Sequence, residues 1–306
     1  MAGDGDAVFD EVAAAIVGPA AYTRREVAAA AGVPLDQATR LWRAMGFPEV
    51  PDDVVLFTDR DVAALRTAES LRASGVVDEA GLVTLTRAMA QSLSRLAVSH
   101  ASVAGPLAAP LVPAVGELLD YVWRRHLAAA AEDVLVTASG DDAVPVAVGF
   151  ADLVGFTEWS REAAPEELAE LVERFERYAA HAVAEHGGRV VKTLGDEVLF
   201  ATGDAATAAL LGLALAGAAD EIGREVRVGV AYGPVLARLG DVFGPTVNLA
   251  SRLTGLARPG AVLADREAAA ALREDDRFAV TPLRRREVRG YSHLAPYLVR
   301  RAASGS

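Results

Sequence analysis

From residue 144 onward, strand-like and helix-like runs alternate in one fixed order, and that order admits few folds. Val144 to Phe150 is a valine-rich apolar run, which predicts a strand. Pro165 to His186 is amphipathic, with proline in its first turn and Gly187-Gly188 behind it, which predicts a helix. Arg189 to Leu194 and Glu197 to Ala201 read as two short strands joined at Gly195-Asp196, a hairpin. A helix over Asp204 to Ile222 and a strand over Val226 to Tyr232 complete the series. The result is βαββαβ, the order of the ferredoxin-like split βαβ arrangement.

Beyond this core, Val235 to Val242 reads as a segment that pairs back on the preceding strand. Thr246 to Leu256 reads as a helix capped by Thr246. A short strand (Ala261 to Ala264), a helix (Asp265 to Arg273) and strands near 277–283 and 297–299 come after it.

The first half contains no strand pattern. Thr23-Arg24-Arg25-Glu26 has capping-box spacing and opens a helix ending near Gly32. Asp36 is placed to cap a second helix through Met45, and Thr58 or Asp59 a third through about Ser74. A long run from Asp78 to about Ala104 carries Leu82, Leu85, Met89, Leu93 and Leu96 at helical spacing. Pro106, Pro110 and Pro113 interrupt the next stretch, so a last helix is expected from Gly116 to about Ala131. Val134 to Asp142, ending Ser139-Gly140-Asp141-Asp142, reads as a linker. The expected class is α+β: an all-helical region at 1–138, then a ferredoxin-like domain at 139–306.

Composition removes several chemistries. The 306 residues include no cysteine, so disulfides and thiolate catalysis are excluded. A bound metal must use oxygen or the five histidines, and oxygen-rich sites favour Mg²⁺ or Mn²⁺ over Zn²⁺. The net charge of −12 argues against broad nucleic-acid binding. The acidic first ten residues do not look like a secretory leader. The apolar stretches at 205–219 and 98–119 are too short or too interrupted to span a bilayer. A cytoplasmic protein is expected.

Three segments carry candidate chemistry. Asp152 follows the first strand in Phe150-Ala151-Asp152-Leu153-Val154-Gly155-Phe156-Thr157. Asp196 lies in Lys192-Thr193-Leu194-Gly195-Asp196-Glu197. Taken alone, each is equally the mark of an ordinary turn. The βαββαβ order, however, sets the hairpin tip beside the end of the first strand, so the two carboxylates become neighbours. Neighbouring carboxylates repel unless a cation lies between them. Asp241 to Arg252 adds Asn248 and Arg252, four apart and therefore on one helical face.

Taken together, residues 146–300 resemble a class III nucleotidyl cyclase catalytic domain. The three segments occur in that family's order. The resemblance implies that Asp152 and Asp196 bind two Mg²⁺ or Mn²⁺ ions, the Leu153 carbonyl assisting one. Gly155, Phe156 and Thr157 form the phosphate-binding turn, with Phe156 and Thr157 offering backbone N–H groups. Asn248 orients the ribose and Arg252 stabilises charge on the α-phosphate. Lys192 and Asp241 read the base, and Arg238 and Arg289 are further candidate phosphate contacts. A Lys donor and an Asp acceptor match the N1 acceptor and N6 donor of adenine and mismatch guanine. ATP is therefore the expected substrate, with guanylyl cyclase as the alternative. Because one copy of each motif is present, a homodimer with composite sites is implied.

Residues 57–105 resemble, more weakly, the regulatory domain of mycobacterial pH-responsive, autoinhibited adenylyl cyclases. This implies a domain that dimerises and restrains catalysis, with His100 and His126 as candidate titrating groups. Tyr22 to Phe47 resembles a helix-turn-helix of local charge +2. A DNA-binding regulator with a nucleotide-sensing domain is therefore the reading from another class, although no nucleic-acid partner is expected.

Overall fold

The computed structural model describes residues 12–105, 108–137, 145–238, 240–288 and 291–303. The chain divides into two compact units, 1–134 and 135–306.

In the first unit, a helical segment at 12–17 precedes α1 (Arg24–Ala31), α2 (Leu35–Met45), α3 (Asp59–Ala73), α4 (Glu79–Ala104) and α5 (Ala108–Thr137). Thr23 and Thr58 each cap their helix through a reciprocal capping box, with Glu26 and Asp61 answering. Asp36 does not cap α2. Pro34 occupies that position, because its fixed φ of −57° already suits a helix entry, and Asp36 lies in the first turn. The small core gathers Val27, Leu41, Trp42, Val62, Leu65 and Leu82, and the Trp42 and Phe57 rings lie 4.8 Å apart.

Two expectations for this unit fail at α5. The helix begins at Ala108 rather than Gly116 and runs through Pro110 and Pro113. Pro110 falls in the first turn, where its missing N–H has no helical acceptor to lose. Only Pro113 interrupts the hydrogen-bond ladder. The helix also continues past Ala131 to Thr137, and the expected linker residues Ser139 to Asp142 lie outside the described residues. On α4 only Leu82 is buried among the spaced apolar residues; Leu85, Met89, Leu93 and Leu96 are 41–47% exposed. The stripe has helical period and no apolar cover within this unit.

The second unit is built on β1 (Val146–Leu153), β2 (Arg189–Thr193), β3 (Glu197–Thr202) and β4 (Val226–Gly233). It further contains α6 (Phe156–Trp159), α7 (Pro165–Glu185), α8 (Ala205–Ala216), α9 (Ala219–Ile222), β5 (Leu236–Arg238), β6 (Asp241–Phe243) and α10 (Pro245–Leu256). The last elements are β7 (Val262–Ala264), α11 (Arg266–Leu272), β8 (Phe278–Pro282), β9 (Arg286–Val288), β10 (Tyr291–Leu294) and β11 (Tyr297–Arg301). The seven-stranded sheet runs β2-β3-β1-β4-β7-β11-β8, and its first four strands are the split βαβ core. β1 is antiparallel to both β3 and β4, while β4 and β7 are parallel. The architecture is α+β: a mixed sheet with helices, preceded by a helical region.

β1 explains how both faces are used. Ala147, Ala151 and Leu153 join the core under α7 and α8, whereas Val148 and Phe150 join the core under α10. Period-2 alternation therefore puts Asp152 on the α10 face. The core is dense on both sides. A Cβ at Gly149 would meet the Phe200 ring at 2.1 Å, and one at Gly229 would meet the backbone of α10 at 2.3 Å.

Three further expectations are corrected. Residues 235–243 do not pair on β4; β5 and β6 form their own two-stranded ribbon. Thr246 does not cap α10, because Gly244 precedes Pro245 there and the Thr246 hydroxyl donates to the Pro234 carbonyl at 2.7 Å. The helix expected over 204–222 breaks at Gly217-Ala218 into α8 and α9.

Candidate active site

The end of β1 and the β2–β3 hairpin meet through the backbone. Leu153 N–H donates to the Asp196 carbonyl at 2.9 Å, and Gly195 takes the left-handed conformation (φ 69°) that the tight turn requires. Asp152 lies opposite Glu197 on β3 and Arg227 on β4. The structure thus brings Asp152, Asp196 and Glu197 to one sheet end.

Arg227 is the cation of this cluster. Its Nε donates to Asp152 Oδ2 at 2.6 Å, and a second guanidinium nitrogen lies 2.5 Å from the same oxygen. Burial raises the pKa of Asp152 and the Asp196 charge adds to that, while Arg227 opposes both. Glu197 is pushed up to about 7, first by burial and then by the charges of Asp152 and Asp196. Sequence reasoning assigned no role to Arg227 or Glu197. The available signal was a single charged residue in each otherwise uncharged strand, Arg227 within Val226-Arg227-Val228 and Glu197 at the start of Glu197-Val198-Leu199.

Beyond Leu153 the chain turns at Gly155 (φ 67°) into α6. Phe156 and Thr157 open that helix, so their N–H groups have no carbonyl four residues back. Arg224 braces the turn, donating to the Val154 carbonyl at 3.0 Å and lying 4.7 Å from the Trp159 ring centre.

Lys192 and Asp241, far apart in sequence, form an ion pair at 2.6 Å. Asp241 Oδ1 also accepts the Val242 N–H at 2.8 Å, and the Lys192 ammonium lies 5.9 Å from the Phe243 ring. Both side chains remain about 30% exposed, within a ligand's reach. Arg238 stands opposite Asp241 in the β5–β6 ribbon and is exposed. Arg289 lies outside the described residues.

Asn248 and Arg252 stand one turn apart on the exposed side of α10. Neither side chain has a hydrogen-bond or ion-pair partner among the described residues, and no contact joins them to Asp152 or Asp196. α10 itself is pinned to the sheet by Thr254, whose hydroxyl reaches the Phe150 and Ala250 carbonyls at 3.3 and 3.0 Å.

The oxygen donors suit Mg²⁺ or Mn²⁺. No cluster of three or more His, Asp or Glu side chains forms a closed cage among the described residues. Two carboxylates in an open site, completed by substrate phosphates and water, are what Mg²⁺ sites commonly use.

In the first unit the helix-turn-helix arginines are taken up internally. Arg24 and Arg25 pair with Asp52, Arg40 with Asp36 and Glu79, and Arg43 with Glu49. No helix among the described residues is long and apolar enough to cross a membrane.

Comparison with known proteins agrees with this anatomy. Residues 140–301 match the adenylate and guanylate cyclase catalytic domain, and residues 12–136 match the adenylate cyclase regulatory domain. The chain is 42% identical to an adenylate cyclase of Streptomyces coelicolor, over 93% of this chain and 87% of that one. It is 38% identical to an adenylate cyclase of Glutamicibacter nicotianae, over 95% and 83%. It is 33% identical to a pH-sensitive adenylate cyclase of Mycobacterium tuberculosis, over 92% and 78%. The crystal structure of the adenylyl cyclase CyaB from P. aeruginosa aligns with 52% of this chain and 95% of its own, at 23% identity and a TM-score of 0.47. With its catalytic-domain match covering more than half its length, the chain belongs to the adenylate and guanylate cyclase family and carries that family's adenylate cyclase regulatory domain ahead of the catalytic one.

Proposed function

We propose that this protein is an adenylyl cyclase that converts ATP to 3′,5′-cyclic AMP and pyrophosphate in composite sites of a homodimer. The observation that carries the reading is the meeting of Asp152 and Asp196 at one sheet end. The relatives named adenylate cyclase support it.

Asp152 and Asp196, with the Leu153 carbonyl, would hold two Mg²⁺ or Mn²⁺ ions. When bound, such ions lower the pKa of the ribose 3′-hydroxyl and neutralise the triphosphate. The residues of the chain supply position and charge. Lys192 donates to adenine N1 and Asp241 accepts from N6. Asn248 orients the ribose so that its 3′-oxygen faces the α-phosphorus in line with the departing pyrophosphate. Arg252 stabilises the charge that builds on the α-phosphoryl oxygens as the new P–O bond forms and the old one breaks. The Phe156 and Thr157 N–H groups, in the turn set by Gly155, hold the β- and γ-phosphates, and Arg238 and Arg289 add charge to that end.

Asn248 and Arg252 have no partner among the described residues of their own protomer, which supports a site completed across a dimer. The bare apolar stripe on α4 supports dimerisation through the first unit. We further infer that this unit restrains the catalytic one in a pH-dependent way. His100 Nε2 is buried without a hydrogen-bond partner among the described residues. His126 on α5 is exposed.

The deciding experiment is turnover of ATP and GTP with Mg²⁺ or Mn²⁺ between pH 5.5 and 8. Metal-dependent cyclic AMP formation, lost in Asp152→Ala and in Asp196→Ala, is expected. Substantial activity in either variant refutes the metal assignment, and preference for GTP refutes the base assignment.

A further inference from the structure

The catalytic unit has a concave surface whose lining contains none of the residues given a role in the cyclase reaction. It is a cleft of about 750 Å³, within the roughly 300–1,000 Å³ usual for small-molecule sites. Leu213, Leu256 and Leu298 are among its apolar lining. Five arginines line it: Arg258, Arg284, Arg286, Arg300 and Arg301. None of its lining residues is acidic.

This concentration of charge runs against the rest of the chain, whose net charge is −12. Elsewhere in the unit, Arg174, Arg177, Lys192, Arg227 and Arg277 have carboxylate partners, Arg189 and Arg224 donate to backbone carbonyls, and Arg238 and Arg252 stand without an ion pair among the described residues. The five cleft arginines have no ion pair or side-chain hydrogen bond among the described residues. All five are exposed, and no lining carboxylate offsets their charge.

The backbone that carries them is held by the sheet. Arg258 opens a turn closed by Ala261 N–H to the Arg258 carbonyl at 3.0 Å, and Gly260 N–H in that turn donates to the Val226 carbonyl of β4 at 3.0 Å. Leu283 N–H donates to the Pro296 carbonyl at 2.9 Å, fixing the approach to Arg284. Arg300 and Arg301 are the last two residues of β11, opposite Ala279 and Phe278 of β8; strand alternation puts Arg300 on the face of Leu298 and Arg301 on the face of Val299.

We propose that this cleft binds a compact polyphosphate anion, either an inorganic chain or the phosphate chain of a nucleotide, at a site distinct from the proposed catalytic one. Guanidinium forks match phosphate oxygens in pairs, and several forks around one hollow select a ligand with several charges close together. The apolar lining accommodates a base where the chain belongs to a nucleotide.

The test is calorimetric titration of the full-length protein with inorganic tripolyphosphate, and separately with GTP, in excess EDTA so that no divalent ion takes part. Saturable binding that weakens with salt is expected. Arg258→Ala/Arg300→Ala should weaken it by about tenfold or more, the loss expected from charge-assisted hydrogen bonds. Arg252→Ala should leave it unchanged. Tighter binding of GTP than of tripolyphosphate identifies a nucleotide; equal binding identifies the chain alone. No binding, wild-type binding in the double variant, or loss of binding in Arg252→Ala overturns the proposal. Arg300→Lys, which keeps the charge and removes the fork, should lose part of the affinity, and full retention there also counts against it. Metal-dependent ATP turnover of the double variant, measured in parallel, separates failure of this site from failure of the catalytic reading.

Discussion

Gly229→Ala is the sharpest probe of how α10 is positioned. Gly229 lies in β4 beneath α10, and an added Cβ would sit 2.3 Å from Thr254 N, 2.4 Å from the Ala250 carbonyl oxygen and 2.6 Å from Thr254 Oγ1. Ordinary contact begins at 3.4 Å, and the first two obstacles are backbone, so no rotamer change relieves the clash. The helix must withdraw by about 1 Å, and overpacking of this kind costs about 1–3 kcal/mol. For a domain of this size that is a loss of about 3–10 °C in Tm. Asn248 and Arg252 ride on the same helix, and a displacement of about 1 Å at reacting groups can cost about 100-fold in rate. Scanning calorimetry and ATP turnover should therefore fall together. Gly255→Ala is the control: it lies on the same helix with nothing within 4 Å of the new methyl, and should hold or raise stability by about 0.5–1 kcal/mol. A Gly229→Ala protein with unchanged Tm refutes the packing argument. One with reduced Tm and intact turnover refutes the roles given to Asn248 and Arg252.

Mixing inactive Asp152→Ala and Arg252→Ala proteins should restore partial cyclic AMP formation, because a mixed dimer rebuilds one intact composite site; no recovery at any ratio argues against shared sites. Arg227→Ala should leave Asp152, Asp196 and Glu197 without their guanidinium, lowering Tm and enlarging the thermal stabilisation by Mn²⁺; an unchanged Mn²⁺ response contradicts this. Asp265, 3% exposed, caps α11 and has its pKa raised to about 7, chiefly by burial. The folded state keeps this proton while the unfolded state has lost it above about pH 4, so stability falls as pH rises from about 4 to 7. Asp265→Asn keeps the cap and should flatten that slope in urea titrations; an unaltered slope places the effect elsewhere. A 140–306 fragment should exceed full-length turnover at neutral pH if the first unit restrains catalysis, and equal turnover at every pH counts against restraint.

The core order was readable because β1, β3 and β4 are largely apolar runs, all four strands of the split βαβ unit are bounded by glycine or proline, and each helix carries its own start and stop. The approach of Asp196 to Asp152 followed from that order alone. The features hidden in the sequence depend on partners far along the chain. Arg227 looks like one stray charge until β4 lies against β1 and sets it opposite Asp152. Residues 235–243 have strand composition, but which strand they join is decided by register, and they join each other. Thr246 sits where a capping hydroxyl is expected, yet Pro234 lies close enough to claim it. Pro110 and Pro113 look like breaks unless the helix begins early enough to place the first of them in its opening turn.

The ion pair between Lys192 and Asp241 carries a consequence for recognition. The two groups lie 2.6 Å apart, so each charge is balanced by the other. On the proposed base reading, the pair also sets the orientation of the ring that it meets. The ammonium and the carboxylate are held side by side, and each keeps exposed surface and hydrogen-bonding capacity beyond the bond that joins them. A ring edge with an acceptor next to a donor, in the order that adenine carries them, would match both groups at once. A ring with the reverse order would meet each group with the wrong partner, so the fixed pair would convert one ion bridge into a directional code for the base.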